Sequence, residues 1–533
     1  MSEFTDRVFR ASSTAGIVCP GEPVRRSSWR SLTDDALRIA GGLAERAIGP
    51  GDRVAVLAGR PDDVARIAVA LWMRDATLTM LQQPTRRSDF LTWMAEQKRV
   101  LTMIDAKAVI LAEPFNATEF DVSYQLDELF EGRGINPLDP ASQSIALLQL
   151  TSGSTAAPKA IEITHRNLHA NLAALTQRIS SAPAEEVLVS WLPLYHDLGM
   201  VGFLLAAMHA QSEAVIATPA DFVTAPLRWM ELVSEHRGTI TAATNFALAV
   251  TAKHLENVAD HAYDLSSLRV VMSGAEQVDA AAVRRFVTAG ERFGLDPGVF
   301  APGYGMAEAT LAVTVHPTGN PLAVDVVDAD LIESAGVARP ADEGRELVRL
   351  GPPLPGIEVR VVDKCGDYLD ERRVGELIIR GPSVSSFQLN GDGRKPLCDN
   401  DGWFATGDMG YVTEDGDIVV CGRSKDVIVM SERNIYPTDL ERAAEAVAGV
   451  RRGSAVALSL SSGQADEAVA IVVESHSWRV DSSVRKIRGQ IGHEVYRRFR
   501  IAPAMILVVE PGMVPKTPSG QLQRGLVRLL LPS

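Results

Sequence analysis

Apolar positions in the first third of the chain recur with two alternating periods. Ser31-Leu32-Thr33-Asp34-Asp35 offers capping and acidic first-turn residues, and Ala36, Leu37, Ala40 and Leu43 follow at helical spacing. Gly49-Pro50-Gly51-Asp52 breaks that period, and the continuous apolar run Val54-Ala55-Val56-Leu57-Ala58 predicts a buried strand. Asp62 to Met73 predicts the next helix and Ala108-Val109-Ile110-Leu111 the next strand, with further strands at Ala214-Val215-Ile216, Leu268 to Met272 and Glu358 to Val362. Strands that alternate with helices in this way predict α/β layers built on parallel strands with crossover helices.

Toward the C-terminus the pattern changes. From about residue 357 to 421, short strands separated by Asp/Gly turns predict a β-rich subdomain. Beyond Gly422 come a strand at Val427–Met430, a helix from Pro437 to Val447, and strands near Ser454–Leu460 and Glu467–Glu474. The fold class is therefore α/β: a large N-terminal domain (1–423) of parallel-sheet subdomains plus a β-rich one, followed by a small α+β domain (424–533). The charged stretch from Pro340 to Gly351 has no clear period and reads as a loop or surface insertion.

Composition narrows the classes. With 46% hydrophobic and 23% charged residues over 533 positions, the chain is ordinary globular protein, not disordered or fibrous. A net charge of −14 argues against a generic nucleic-acid or anionic-membrane binder. Cys19, Cys365, Cys398 and Cys421 lie far apart with no C-x-x-C spacing, which fits a reducing cytoplasm and neither a disulfide framework nor a zinc site. Met1 to Arg7 lacks the basic and apolar regions of a signal peptide. The most apolar stretch, Met200 to Ala210, is about half a membrane span and is interrupted by His209. Of the 53 basic residues only nine are lysines, so the position of each lysine carries information.

The densest chemical signal is Leu150-Thr151-Ser152-Gly153-Ser154-Thr155-Ala156-Ala157-Pro158-Lys159, which follows the apolar run Ile145 to Gln149. A strand thus leads into a hydroxyl- and glycine-rich loop that ends in lysine. Small residues let backbone N–H groups approach phosphate oxygens, and lysine adds charge; a plain Ser/Thr turn is the alternative. The spacing is not that of a Walker A loop. Four further segments decide between these readings: Ser190-Trp191-Leu192-Pro193-Leu194-Tyr195-His196-Asp197, Gly303-Tyr304-Gly305-Met306-Ala307-Glu308-Ala309-Thr310, Asp401 to Asp408, and Gly422-Arg423-Ser424-Lys425-Asp426.

In order and spacing, the five segments resemble the motif series of the adenylate-forming superfamily, which includes acyl-CoA synthetases, nonribosomal peptide adenylation domains and luciferases. The resemblance covers nearly the whole chain. W-L-P-L-Y-H-D, Y-G-M-A-E-A-T-L and R-N-I-Y-P-T-D-L-E look most like the fatty acyl-AMP ligases, which make an acyl adenylate from ATP and pass it to an acyl carrier protein. It implies that Thr151, Ser152, Gly153, Ser154, Thr155 and Lys159 hold the ATP phosphates and that Glu308 binds Mg²⁺, a hard cation suited to carboxylate oxygen. Tyr304, within Gly303 to Ala307, would stack on adenine, and Gly274-Ala275-Glu276 resembles the family's adenine-edge segment. Asp408 would accept hydrogen bonds from the ribose hydroxyls, with Arg423 donating nearby. His196 would sit at the junction of acyl group and ATP, and Leu198 to Leu205 would line an acyl tunnel, with Gly199 and Gly202 leaving room for the chain; an ordinary buried helix is the alternative.

Lys425 matches the family's hinge, about which the small domain swings between adenylation and thioester formation. The resemblance also exposes a departure. Where the family carries P-K-T-x-S-G-K-x-x-R, this chain reads Pro515-Lys516-Thr517-Pro518-Ser519-Gly520-Gln521-Leu522-Gln523-Arg524, so Gln521 occupies the catalytic lysine position. Three explanations stand: an introduced substitution, a natural slow ligase, or an adenylate-binding pseudoenzyme. The competing enzyme reading is a fatty acyl-CoA synthetase. Acyl-AMP ligases carry an insertion after the Y-G-x-x-E motif that restrains the small domain, and Val327 to Leu354 is the candidate for it here. The acceptor implied is a carrier protein, or a carrier domain of a polyketide or nonribosomal peptide synthase. Its acidic surface would meet the arginines at 451, 452, 497, 498 and 500.

Overall fold

The computed structural model describes residues 2–11, 14–84, 89–152, 158–430, 433–460, 468–516 and 522–531. Two eight-stranded sheets organise the first three quarters of the chain. In one, Gly16–Cys19, Glu213–Ile216, Val187–Ser190, Ile240–Ala242, Val270–Ser273 and Phe300–Gly305 run parallel, and antiparallel strands Arg25–Ser28 and Ala312–Val315 close the two edges. In the other, Ser123–Gln125, Ala108–Leu111, Arg53–Leu57, Thr77–Met80 and Ile145–Ser152 are parallel, and Pro158–Thr164 turns back antiparallel to the last of them. Central parallel strands such as Arg53–Leu57, Ala108–Leu111 and Glu213–Ile216 are almost wholly apolar because helices cover both sides: all thirteen residues of the helix Pro61–Met73 are buried.

The observed elements refine several expectations. The first long helix spans Trp29–Glu45 and is capped by the Ser28 hydroxyl, which accepts from the Ser31 N–H; the cap-like residues at 33–35 lie inside it. A helix takes the earliest competent cap when the residues behind it, here Trp29 and Leu32, also bury. The β-rich region is a four-stranded antiparallel sheet of Glu358–Val362, Gly375–Arg380, Phe404–Val412 and Ile418–Arg423. Its hairpin Phe387–Asn390/Gly393–Pro396 leaves this sheet and extends the second large one instead. The 340–351 stretch is not simply a loop: Arg345–Val348 pairs with Val324–Val327 across all four residues. Charge masked its period, since Arg345 is buried and salt-bridged to Asp439 at 2.9 Å.

The residues beyond 427 build cores of their own. In the sheet Ala455–Ser459, Val469–Glu474 and Met505–Val509, alternate residues face opposite sides. Ala455, Ala457, Ile471 and Val473 pack against Leu440, Ile487, Ile491 and Val495 of the helices Pro437–Glu445 and Asp481–Phe499. Val456, Leu458, Ala470 and Val472 pack on the other side with Val514 and Val527. A smaller cluster joins Val327, Ile332 and Leu347 to Tyr411, Val419 and Tyr436. There the Arg345 guanidinium stacks 4.3 Å from the Tyr436 ring centroid, and Arg433 is paired with Glu333. Among the described residues, no helix is long and apolar enough to cross a membrane.

Candidate active site

The C-terminal ends of the parallel strands open onto one cavity of about 1640 Å³, the place where α/β sheets present their loops to a ligand. Thr151, Lys159, His196, Gly274, Ala275, Tyr304, Gly305, Met306, Ala307, Glu308, Arg423 and Lys425 all line it. Gly153, Ser154, Thr155 and Gln521 lie outside the described residues, and Ser152 is described only as the end of its strand. The neighbours of position 521 are informative: Lys516 and Leu522 pair across this segment, and both line the cavity with Arg524.

Behind one wall three groups form a chain: Tyr304 and Arg423 line the cavity, and Asp408, which does not line it, is buried between them. The Tyr304 hydroxyl donates to Asp408 Oδ2 at 2.7 Å, and Arg423 Nε lies 2.9 Å from Asp408 Oδ1. Asp408 is 4% exposed, and burial raises its pKa against the opposing pull of Arg423 and Tyr304. The Tyr304 hydroxyl is pushed well above its ordinary value by burial and by the adjacent carboxylate, so it stays a donor. Strand geometry fixes this arrangement. Gly305 admits the Leu311 carbonyl to within 2.0 Å of where a β-carbon would stand, so the strands Phe300–Gly305 and Ala312–Val315 approach as no other residue would allow. On the same wall Glu376 accepts from the Gly407 N–H at 3.0 Å; no sequence signal marked it.

Across the cavity, His196 Nδ1 stands 2.7 Å from Asp197 Oδ1, and the Leu198 N–H donates to that same oxygen at 2.7 Å. Burial works against a charged His196, yet the Asp197 carboxylate raises its pKa above the ordinary value; Asp197 is correspondingly lowered by His196 in spite of burial. Asp197 has no assigned role from the sequence, although its adjacency to His196 was the available signal. Gln149 donates to the Tyr195 carbonyl at 3.0 Å and so ties this segment to the strand Ile145–Ser152. The Glu308 carboxyl is raised chiefly by burial, with Arg423 and Lys159 pulling it down, and it forms no ion pair among the described residues. Lys425 and Lys516 are both lowered by burial, and Lys516 Nζ contacts Ser454 Oγ at 3.1 Å. Arg524 is held by Glu441 through two bonds of 3.0 and 2.7 Å.

Two expectations change. The segment Leu198–Leu205 does not wall a tunnel: only Leu198 lines the cavity, while Met200, Val201, Phe203, Leu204 and Leu205 are fully buried core. Its glycines serve close packing, since a β-carbon at Gly199 would lie 2.3 Å from the Pro193 carbonyl oxygen and one at Gly202 about 3 Å from Leu198 and Leu311. Leu175, Met272, Ala301 and Leu311 supply apolar wall instead. Glu276 does not line the cavity either. Its carboxylate accepts from the Asn245 N–H at 2.8 Å, at the start of the helix Asn245–Leu255.

Burial pushes the Glu276 carboxyl up to about 7. A folded-state value above the unfolded one means the folded protein holds the proton longer, so stability declines as pH rises from the ordinary carboxyl range to about 7 and is level beyond it. A glutamine side chain there would keep the acceptor and remove the charge. We expect Glu276→Gln to raise Tm at pH 8 and to leave it unchanged at pH 4; equal shifts at both values would show that this titration is not felt.

Compared with known proteins, residues 7–387 match the AMP-binding enzyme family. The chain is 45% identical over 537 residues to a putative ligase of Mycobacterium tuberculosis, covering 98% of each sequence. It is 28% identical over 512 residues to a long-chain-fatty-acid–AMP ligase of Mycobacterium bovis, covering 89% of this chain and 86% of that one. Among solved structures, one from work on fatty acyl-adenylate ligases of E. coli and L. pneumophila superposes with a TM-score of 0.89 at 28% identity, over 99% of this chain and 98% of that one.

Proposed function

The chain belongs to the AMP-binding enzyme family, and from that premise we propose that it activates a fatty acid with ATP and delivers the acyl group to a carrier protein. A carboxylate oxygen attacks the α-phosphorus, the bond to pyrophosphate breaks, and acyl-AMP forms. The phosphopantetheine thiol then attacks the acyl carbonyl, losing its proton, and AMP leaves. The observation that carries this reading is the one cavity lined by Tyr304, Arg423, His196, Lys159, Lys516 and Arg524, with Asp408 buried behind Tyr304 and Arg423 and bonded to both.

In this reading Asp408 accepts from the ribose hydroxyls and Arg423 orients it, while Tyr304 and the Gly274-Ala275 backbone flank the adenine. Glu276 shapes that turn from behind by holding Asn245. Thr151, Ser152, Gly153, Ser154, Thr155 and Lys159 receive the phosphates. His196, held by Asp197, lies where the carboxylate meets the nucleotide. Glu308 suits Mg²⁺: it would offer that hard cation a partly buried carboxylate outside any ion pair among the described residues. Mg²⁺ would screen the charge on the phosphates. Residues 1–423 would bind the substrates and 424–533 would act as the lid, with Lys425 at the hinge and position 521 supplying the residue that the resemblance assigns to adenylation. Four unpaired cysteines fit a reducing cytoplasm.

A carrier protein is favoured over coenzyme A by the contacts that hold the small domain. Arg345 and Glu333 of the 324–348 segment pair with Asp439 and Arg433, burying charge that a free swing would expose. Offered free coenzyme A beside a phosphopantetheinylated carrier protein, the enzyme should acylate the carrier protein and form acyl-CoA at least about tenfold more slowly, a difference of about 1.4 kcal/mol in barrier. Rapid acyl-CoA formation would make it a synthetase.

A further inference from the structure

Trp93, Gln97 and Val100 form the buried stripe of the helix Phe90–Met103, at the i, i+4, i+7 spacing of a core-facing surface. They are 4, 3 and 6% exposed, and Trp93 and Val100 pack on Leu57, Leu81, Val109 and Leu111. The Trp93 indole N–H is satisfied by the Gln82 carbonyl at 2.8 Å. Gln97 is different. Its Oε1 is sealed from solvent and has no hydrogen-bond partner among the described residues. An unpaired buried amide is destabilising where leucine or methionine would complete the stripe without penalty.

Gln97 also lines the cavity, as do Met80, Val100, Leu150 and the exposed Glu96 and Arg99. We propose that Gln97 reads one uncharged hydrogen-bonding group, a hydroxyl or carbonyl oxygen, carried on the acyl chain, so that the preferred acid is an oxygenated fatty acid rather than a plain hydrocarbon. An amide presents a donor at one end and an acceptor at the other, and a hydroxyl can meet either. The amides of a phosphopantetheine arm offer similar chemistry. Val100 on the same helix stripe and Leu150 of the same apolar cluster suit a hydrocarbon bearing one polar group; an arm with amides every few atoms would leave some of them unpaired against these side chains. The inference rests on the acid-activating reading above.

Calorimetry on the full chain with non-hydrolysable acyl-sulfamoyl adenosines separates the two. A series with one hydroxyl moved along the chain should contain a member that binds about three- to tenfold tighter than the saturated analogue, the range of one neutral hydrogen bond. Gln97→Leu should bring the two affinities together and raise Tm, which also reports that the variant folds. No preferred hydroxyl position, or a preference that survives Gln97→Leu, overturns the inference. So does a variant that alters only the KM of the carrier protein, since Gln97 would then serve the acceptor. If none of the analogues binds, the acid-activating reading fails with it.

Discussion

Gln521→Lys should increase acid-dependent ATP–pyrophosphate exchange by at least about tenfold. A lysine at this position of the adenylating lid would bridge the attacking carboxylate and the α-phosphate, where negative charge gathers in the transition state. Removing one preorganised donor of this kind costs on the order of 10²–10³-fold in rate, about 3–4 kcal/mol, so about tenfold is a conservative floor. Glutamine retains a donor and loses the charge. Lys516 stands five residues earlier in the chain, where its ammonium group contacts Ser454 Oγ at 3.1 Å, so taking the place of residue 521 would require the loop to shift. The gain should fall on kcat more than on the KM for ATP, since the nucleotide contacts lie elsewhere. Transfer from preformed acyl-AMP should change little. An unchanged exchange rate would remove the argument from the missing lysine, and tight binding of acyl adenylate without any exchange in either form would identify a pseudoenzyme.

Asp408→Asn should weaken ATP binding by about 30-fold. Hydrogen bonds to an ionised acceptor exceed neutral ones by about 1 kcal/mol each, and two ribose hydroxyls would share this carboxylate. Asparagine preserves the shape and still offers the Tyr304 hydroxyl an oxygen at the 2.7 Å position, so the loss reflects charge and not collapse of the wall. Tyr304→Phe is the companion. It removes a group that positions Asp408, and a loss of only a few-fold is expected. Calorimetric titration with ATP and with pyrophosphate gives the contrast: the ATP affinity should fall while that for pyrophosphate holds. Equal losses for both ligands would mean that Asp408 supports the site only as structure.

Much of the frame was legible in advance. Continuous apolar runs beginning at Val54 and Ala108 predict strands within a residue of their observed bounds, because a strand covered by helices on both faces favours apolar residues throughout. The Tyr304, Glu308 and Arg423 motifs were legible too, since residue type and spacing suffice to state what chemistry a segment can offer. Boundaries failed where caps competed, as at Ser28 against the run Ser31 to Asp35, and where charge concealed a strand, as at Arg345–Val348.

By itself, then, the sequence determined the α/β class, the order of the motifs, and the absence of lysine at position 521. These depend on local period and identity, which a linear chain carries in full. Only the tertiary structure decided that Tyr304 and Asp408, 104 residues apart, share a hydrogen bond, that Glu276 turns away to hold Asn245, and that Met200–Leu205 is buried core while Leu198 lines the cavity. It alone decided that Gln97 lines the cavity and that its carbonyl oxygen is buried without a partner among the described residues. Those facts depend on which elements face each other, and long-range packing sets that facing through contacts no local pattern encodes.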